Sequence, residues 1–132
     1  MNYLLDTNAC IAHLTGRSPK VTQKLRDNSP GNILLCSVVK AELLYGAHKS
    51  VRREQNLARL NHFFEPLSCV PFDDAAAAEY GVLRSTLEKR GTPIGPNDMM
   101  IAAIALAHSL TLVSANEAEF QQVPDLKLQN WQ

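Results

Sequence analysis

Short apolar runs at residues 3–5, 33–36, 67–72 and 110–113 recur along the chain, and each is followed by a stretch with helical character. Runs of this length, bounded by turn residues, read as buried strands. Strands that alternate with helices leave few folds open: consecutive strands pair in parallel, because each helix returns the chain to the edge of the sheet from which it started. The helices have recognisable limits. Thr7 and Asn8 suit a first helix start. Ser18 before Pro19 opens a helix towards Arg26, and Ser29-Pro30-Gly31-Asn32 makes a turn. Ser37 can cap a helix ending near Ala47, and residues 51–64 form another, with Leu57, Leu60 and Phe64 on one face. Asp73 caps a long helix through the alanine run to Arg90, residues 91–95 form a loop, and Pro96 opens a helix that reaches His108. Residues 124–128 can add a short fifth strand, with Trp131 closing the core. The expected fold is α/β: one domain over residues 1–132, a parallel sheet of four or five strands between two helical layers. In such folds ligands bind beyond the carboxyl ends of the strands.

Several acids stand where that rule directs attention. Asp6 ends the first strand; an N-cap role is the ordinary alternative, unless Asn8 caps in its place. Glu42 has Val38, Ala41 and Tyr45 as its helical neighbours, so it is expected to be buried. A buried ionised Glu costs several kcal/mol unless a cation or a salt bridge offsets it. Asp98 lies in the first turn of the Pro96 helix and shares its face with Ile101, Ala102 and Ala105. The helix dipole alone would favour an acid there by only about 0.3–1 kcal/mol. Asn116 and Glu119 follow the fourth strand. Carboxylates gathered at one sheet edge cannot all stay ionised without a counter-charge. Hard divalent cations supply it through oxygen ligands, and they can lower the pKa of water and stabilise phosphoryl transfer.

Other residue types narrow the chemistry further. Cys10, Cys36 and Cys69 form an odd set without CxxC spacing, and read as buried small hydrophobes. His13, His48, His62 and His108 share no ligand spacing. Residues 99–107, the longest apolar stretch, fall short of the roughly 20 needed for a membrane span, and the N-terminal residues lack a basic signal region. The expectation is a soluble, cytoplasmic protein. The net charge is zero, with 13 basic and 13 acidic residues. Cations held by about four carboxylates would leave a positive excess able to meet phosphates. The bases are clustered, with Lys40, Lys49, Arg52, Arg53 and Arg59 in one group and Arg84, Lys89 and Arg90 in another.

Five blocks then stand out in order: Leu5-Asp6-Thr7-Asn8; Ala41-Glu42-Leu43-Leu44-Tyr45-Gly46; Gly91 through Asp98; Ile101-Ala102-Ala103; and the ending from Asn116 through Phe120, Val123-Pro124 and Trp131. In these the chain resembles the PIN-domain ribonucleases, specifically the VapC toxins of toxin–antitoxin pairs, over essentially its whole length. The resemblance implies a three-layer α/β/α PIN-like domain and a Mg2+-dependent endoribonuclease, with Mn2+ as a substitute. It implies that Asp6 and Asp98 are metal ligands and that Glu42 is a ligand or a water-orienting group. Thr7 and Asn8 match residues that support the first Asp. Many relatives have Asp at the place of Asn116, and Glu119 matches an acid of some members, so Glu119 is the expected fourth carboxylate. The resemblance further implies structured RNA as substrate, tRNA ahead of rRNA, a VapB-type antitoxin as partner, and a homodimer. The implied reaction is in-line attack of metal-activated water on a phosphodiester, leaving a 5′-phosphate and a 3′-hydroxyl.

Three other readings compete. A haloacid-dehalogenase-like phosphatase would need a second acid at position 8, where this chain has Asn8. A PIN-fold interaction module with weakened catalysis would keep the fold without using Asp6, Glu42 and Asp98. DNA is the third, since no motif reads a 2′-hydroxyl.

Overall fold

The computed structural model describes residues 1–132. Strands β1 (Tyr3–Leu5), β2 (Ile33–Cys36), β3 (Ser68–Val70), β4 (Thr111–Val113) and β5 (Lys127–Gln129) form one sheet in the order β3-β2-β1-β4-β5, and every pairing is parallel. The register sets Leu4 of β1 beside Leu34 of β2 and Leu112 of β4. From β1 the chain winds outward through β2 to β3, then returns to lay β4 on the other flank of β1. The winding therefore reverses between β1 and β4. In open parallel sheets that switch point leaves a crevice beyond the strand ends. Asp6 and Ser114, the residues just past β1 and β4, flank it.

Helices α1 (Thr7–Leu14), α2 (Pro19–Asp27), α3 (Ser37–His48), α4 (Arg53–Phe64), α5 (Asp74–Arg90), α6 (Pro96–Ala107) and α7 (Glu117–Phe120) connect the strands. Leu4, Leu5, Ile33, Leu35, Leu112 and Val113 of the sheet are essentially inaccessible. Helix α6 buries Met99 and the whole run from Ile101 to Ala105. A helix apolar on so many sides has to be covered on more than one face, and the long α5 packs along it. Trp131 closes the other side against Tyr3, with ring centroids 5.0 Å apart in an edge-on arrangement.

Most expected limits lie within a residue or two of the observed ones, and β2 coincides with its apolar run. Asp73 does cap α5, its Oδ1 accepting from the Ala76 amide at 2.9 Å. Ser37, in contrast, is the first residue of α3, and the extended Cys36 precedes it as a cap without a side-chain bond. The strand runs straight into the helix there, leaving no spare residue for a polar cap. Helix α4 begins at Arg53, two residues later than expected. Ser50 Oγ donates to the Ala47 carbonyl at 2.6 Å and accepts from Asn56 Nδ2 at 2.9 Å. These bonds hold a turn where the helix would otherwise start. Cys10 and Cys36 are buried as expected; Cys69 is exposed, because β3 is the edge strand.

Candidate active site

Asp6 is 4% exposed. It ends β1 and at once caps α1, its Oδ1 accepting from the Ala9 amide at 2.8 Å. Asn8 is not the cap; it lies exposed in the first turn. The cap employs one carboxyl oxygen, and the Ser114 hydroxyl also bonds to the carboxyl. Burial pushes the Asp6 carboxyl up from its usual range, against the Ser114 hydroxyl and the Ala9 amide, which favour its ionised form; the Glu42 charge raises it further. Ser114 is itself buried at the end of β4. The sequence reading assigned it no role, although the strand-end rule that singled out Asp6 applies equally to it.

Asp98 stands half-buried in the first turn of α6, and its helical neighbours Ile101, Ala102 and Ala105 are fully buried. Its carboxyl is pushed up to about 7, first by desolvation and then by a hydrogen bond with Glu119 and by the charges of Glu119, Glu42 and Asp6. Asp98 thus feels the other three acids singled out from the sequence, and Asp6 feels Glu42. Glu119 of α7 reaches Asp98 while its Oε2 accepts from Asn116 Nδ2 at 2.6 Å. Asn116 and Glu119 are therefore joined in one unit: the carboxylate faces the cluster and the amide holds it in place.

Glu42 departs from expectation. It is half-buried, because α3 turns Val39, Leu43 and Ala47 into the core and leaves Ala41 and Tyr45 exposed. Apolar company along a helix face did not mean burial here; that face is an apolar surface. The partner of Glu42 is a hydroxyl, Thr7 Oγ1 donating to Glu42 Oε1 at 2.8 Å. Thr7 therefore orients the second acid, whereas the expectation had it supporting Asp6.

No lysine, arginine or histidine pairs with these acids. The chain's two ion pairs are Arg84–Glu88 and His108–Asp73, both outside the cluster. No three of the acids, histidines and cysteines form a ready-made metal cage. Magnesium does not require one, since it keeps several waters and takes one or two carboxylates. A set of hard oxygen donors with mutually repelling charges and no internal counter-charge fits such a cation. The opposite end of α6 carries no comparable cluster: there His108 Nε2 meets Asp73 Oδ2 at 3.0 Å.

Comparison with known proteins adds an independent line. The PIN domain family matches residues 3–126. The chain is similar to ribonuclease VapC2 of Rickettsia felis, 39% identical over 132 residues that cover 99% of this chain and 98% of the relative. It is also similar to the tRNA(fMet)-specific endonuclease VapC of Salmonella typhimurium, 34% identical over 131 residues with the same coverage. Among solved structures, the DNA-bound VapBC complex of Salmonella typhimurium superposes with a TM-score of 0.95 at 33% identity, covering 100% of this chain and 99% of the other. The VapBC2 complex of Rickettsia felis on a promoter DNA fragment gives 0.94 at 38% identity, with both chains fully covered.

Proposed function

The chain belongs to the PIN-domain family and, within it, to the VapC ribonucleases, and from that premise we propose that Asp6, Glu42, Asp98 and Glu119 are its catalytic carboxylates. It is an endoribonuclease of the toxin type, and PIN-domain nucleases as a group depend on divalent metal. The observation that carries the site assignment is the convergence of four acids, without a basic partner, on the crevice between β1 and β4.

Asp6 and Asp98 would hold the cation, with Mg2+ the first choice and Mn2+ a substitute, and Glu42 would be the third acid to face it. When bound, the cation supplies the counter-charge that lets the acids remain ionised, together with Lewis acidity at the phosphoryl group. The chain's own groups do the rest. Thr7 fixes one oxygen of Glu42, leaving the other to orient a water and accept its proton. Attack in line with the phosphodiester bond breaks the P–O3′ bond; the leaving oxygen takes a proton to become a 3′-hydroxyl and the phosphate stays on the 5′ side of the downstream fragment. Glu119, its Oε2 held by the Asn116 amide, adds a further carboxylate oxygen beside Asp98.

The substrate is structured RNA, with tRNA first: a relative 34% identical is named for cutting tRNA(fMet). The natural inhibitor is an antitoxin of the VapB kind, the partner present in the similar complexes. A tRNA substrate implies action in the cytoplasm; separately, no helix is long and apolar enough to cross a membrane. The test is cleavage of purified tRNA with and without Mg2+, comparing the unmodified protein with Asp6→Asn and Asp98→Asn. Loss of cleavage in both variants and in excess chelator is expected; retention in either variant would contradict the assignment.

A further inference from the structure

Helix α3 carries more than Glu42 on its outer side. Glu42, Tyr45 and Lys49 are three and seven residues apart, which puts them on one face at about 4.5 and 10.5 Å along the axis. Tyr45 is 66% exposed, and the Lys49 ammonium lies 4.8 Å from its ring centroid. Tyr45 also shares with Glu42 a cavity of about 420 Å³, walled by Val38, Ala41, Asn97 and Met100. This is room enough for a flat ring, with apolar sides and an amide able to meet a base edge.

Beyond Lys49 the face runs into the turn before α4, where Arg52 and Arg53 line a second, polar cavity of about 490 Å³ with His48, Ser50, Gln55 and one acid, Glu54. The charge is concentrated there. Residues 48–62 hold four Lys and Arg against one Glu, a net charge of +3 in a chain whose total is zero, so the remainder carries −3. None of these cations has an acidic partner. Arg52 and Arg53 stand at the start of α4, the end of a helix where the dipole disfavours cations. Helix stability therefore does not explain them. The path of the turn is pinned by the Ser50 and Asn56 bonds, so the backbone that carries these cations is set, while their exposed side chains remain free to meet a ligand.

An acid, an exposed aromatic ring and a row of unpaired cations in sequence match the parts by which proteins hold a single nucleic-acid strand: a stacking platform for a base and a cationic path for the backbone. We propose that α3 and the α3–α4 turn are the track for the substrate RNA beside the cleavage site, with a base stacked on Tyr45 and the adjoining phosphates held by Lys49, Arg52 and Arg53. This deepens the ribonuclease reading, on which it rests for the direction of the strand relative to Glu42.

The experiment measures binding separately from cleavage. Full-length protein with Asp98→Asn, free of antitoxin, is titrated into fluorescein-labelled unfractionated tRNA at 50–200 mM KCl, with anisotropy as readout. Adding Lys49→Gln, Arg52→Gln and Arg53→Gln is expected to lower the slope of log affinity against log salt by about two to three, near one for each phosphate that is no longer neutralised. Tyr45→Leu is expected to weaken binding about tenfold at every salt with the slope unchanged, and Tyr45→Phe to bind normally. Lys20→Gln with Lys24→Gln on α2 controls for net charge and is expected to bind normally. In the protein with an intact Asp98, the same track variants should raise KM and leave kcat within about twofold. Unchanged affinity in the track variants overturns the proposal, as does an equal loss in the α2 control. So does a Tyr45→Leu protein whose solution mass changes while its RNA affinity does not, which would make this face an interface between copies of the chain. Should the protein bind RNA along the track yet cleave none, the ribonuclease assignment fails and the track stands.

Discussion

Asp6 and Asp73 perform the same local task in opposite surroundings. Each ends an extended segment, caps a helix, and accepts from the amide three residues on, at 2.8 and 2.9 Å. Asp73 is at the surface beside His108, and the Ala76 amide and the imidazole hold its carboxyl below the usual range. Asp6 is buried next to Glu42 and Asp98, and its carboxyl is pushed up in spite of the same kind of cap. A cap explains Asp73 completely. It does not offset the cost of burying Asp6 among other acids, and a carboxyl in that position either takes up a proton or is stabilised by a cation from outside the chain. The contrast sets a structural acid apart from the one proposed to be functional, without recourse to motif.

The largest effect expected from this contrast is on cleavage. Asp6→Asn should retain the cap, since Asn serves well there, and keep its melting temperature in the metal-free state, yet lose cleavage by more than about a hundredfold; Asp73→Asn should cut RNA normally. Losing even an outer-shell partner of a metal ligand costs about 10–100-fold. A gel assay and a thermal melt of both proteins check this pair. Next in size is the Thr7–Glu42 bond. Glu42→Gln should lose about 10–100-fold in kcat, and Thr7→Val about tenfold in the same direction, with tRNA affinity unaltered in both.

The pH response of the metal-free protein comes third. The Asp98 carboxyl titrates near 7 in the folded chain against 3.8 as its ordinary value. The folded state therefore binds the extra proton, and its contribution to stability is complete at acid pH and lost as pH rises through about 7. Melting temperature should fall between about pH 4 and pH 7 and level off above, a fall that Mg2+ or Asp98→Asn removes. The smallest effect belongs to Asp73. Its carboxyl is depressed, so the cap is present at neutral pH and weakens only as pH falls through that lowered value. Asp73→Ala should lower the melting temperature by a few degrees and leave cleavage unchanged.

Much of the architecture was readable because the signals were local. Ile33–Cys36 is a strand without interruption, Asp73 sits one residue before α5, and Pro96 opens α6. Asp98 does lie on an apolar face, because α6 is buried nearly all round. Glu42 breaks the same logic for a reason visible only in three dimensions: α3 packs along Val39, Leu43 and Ala47, so the apolar residues beside Glu42 look outward. The Thr7–Glu42 bond joins residues 35 positions apart, and the link between Glu119 and Asp98 depends on where α7 meets α6. Periodicity cannot see such pairings. It likewise could not tell that Asn116 and Glu119 work together, since either residue alone could fill that place until the 2.6 Å bond joined them.

On the proposed assignment, catalysis turns on a cation that the acids at the β1–β4 crevice would hold and that the cap at Asp73 does not need. Calorimetric titration of MgCl2 into metal-free, full-length protein at pH 8 tests this most directly. Saturable binding that disappears in Asp98→Asn and persists in Asp73→Asn is expected; binding of equal strength in the Asp98→Asn protein would contradict it.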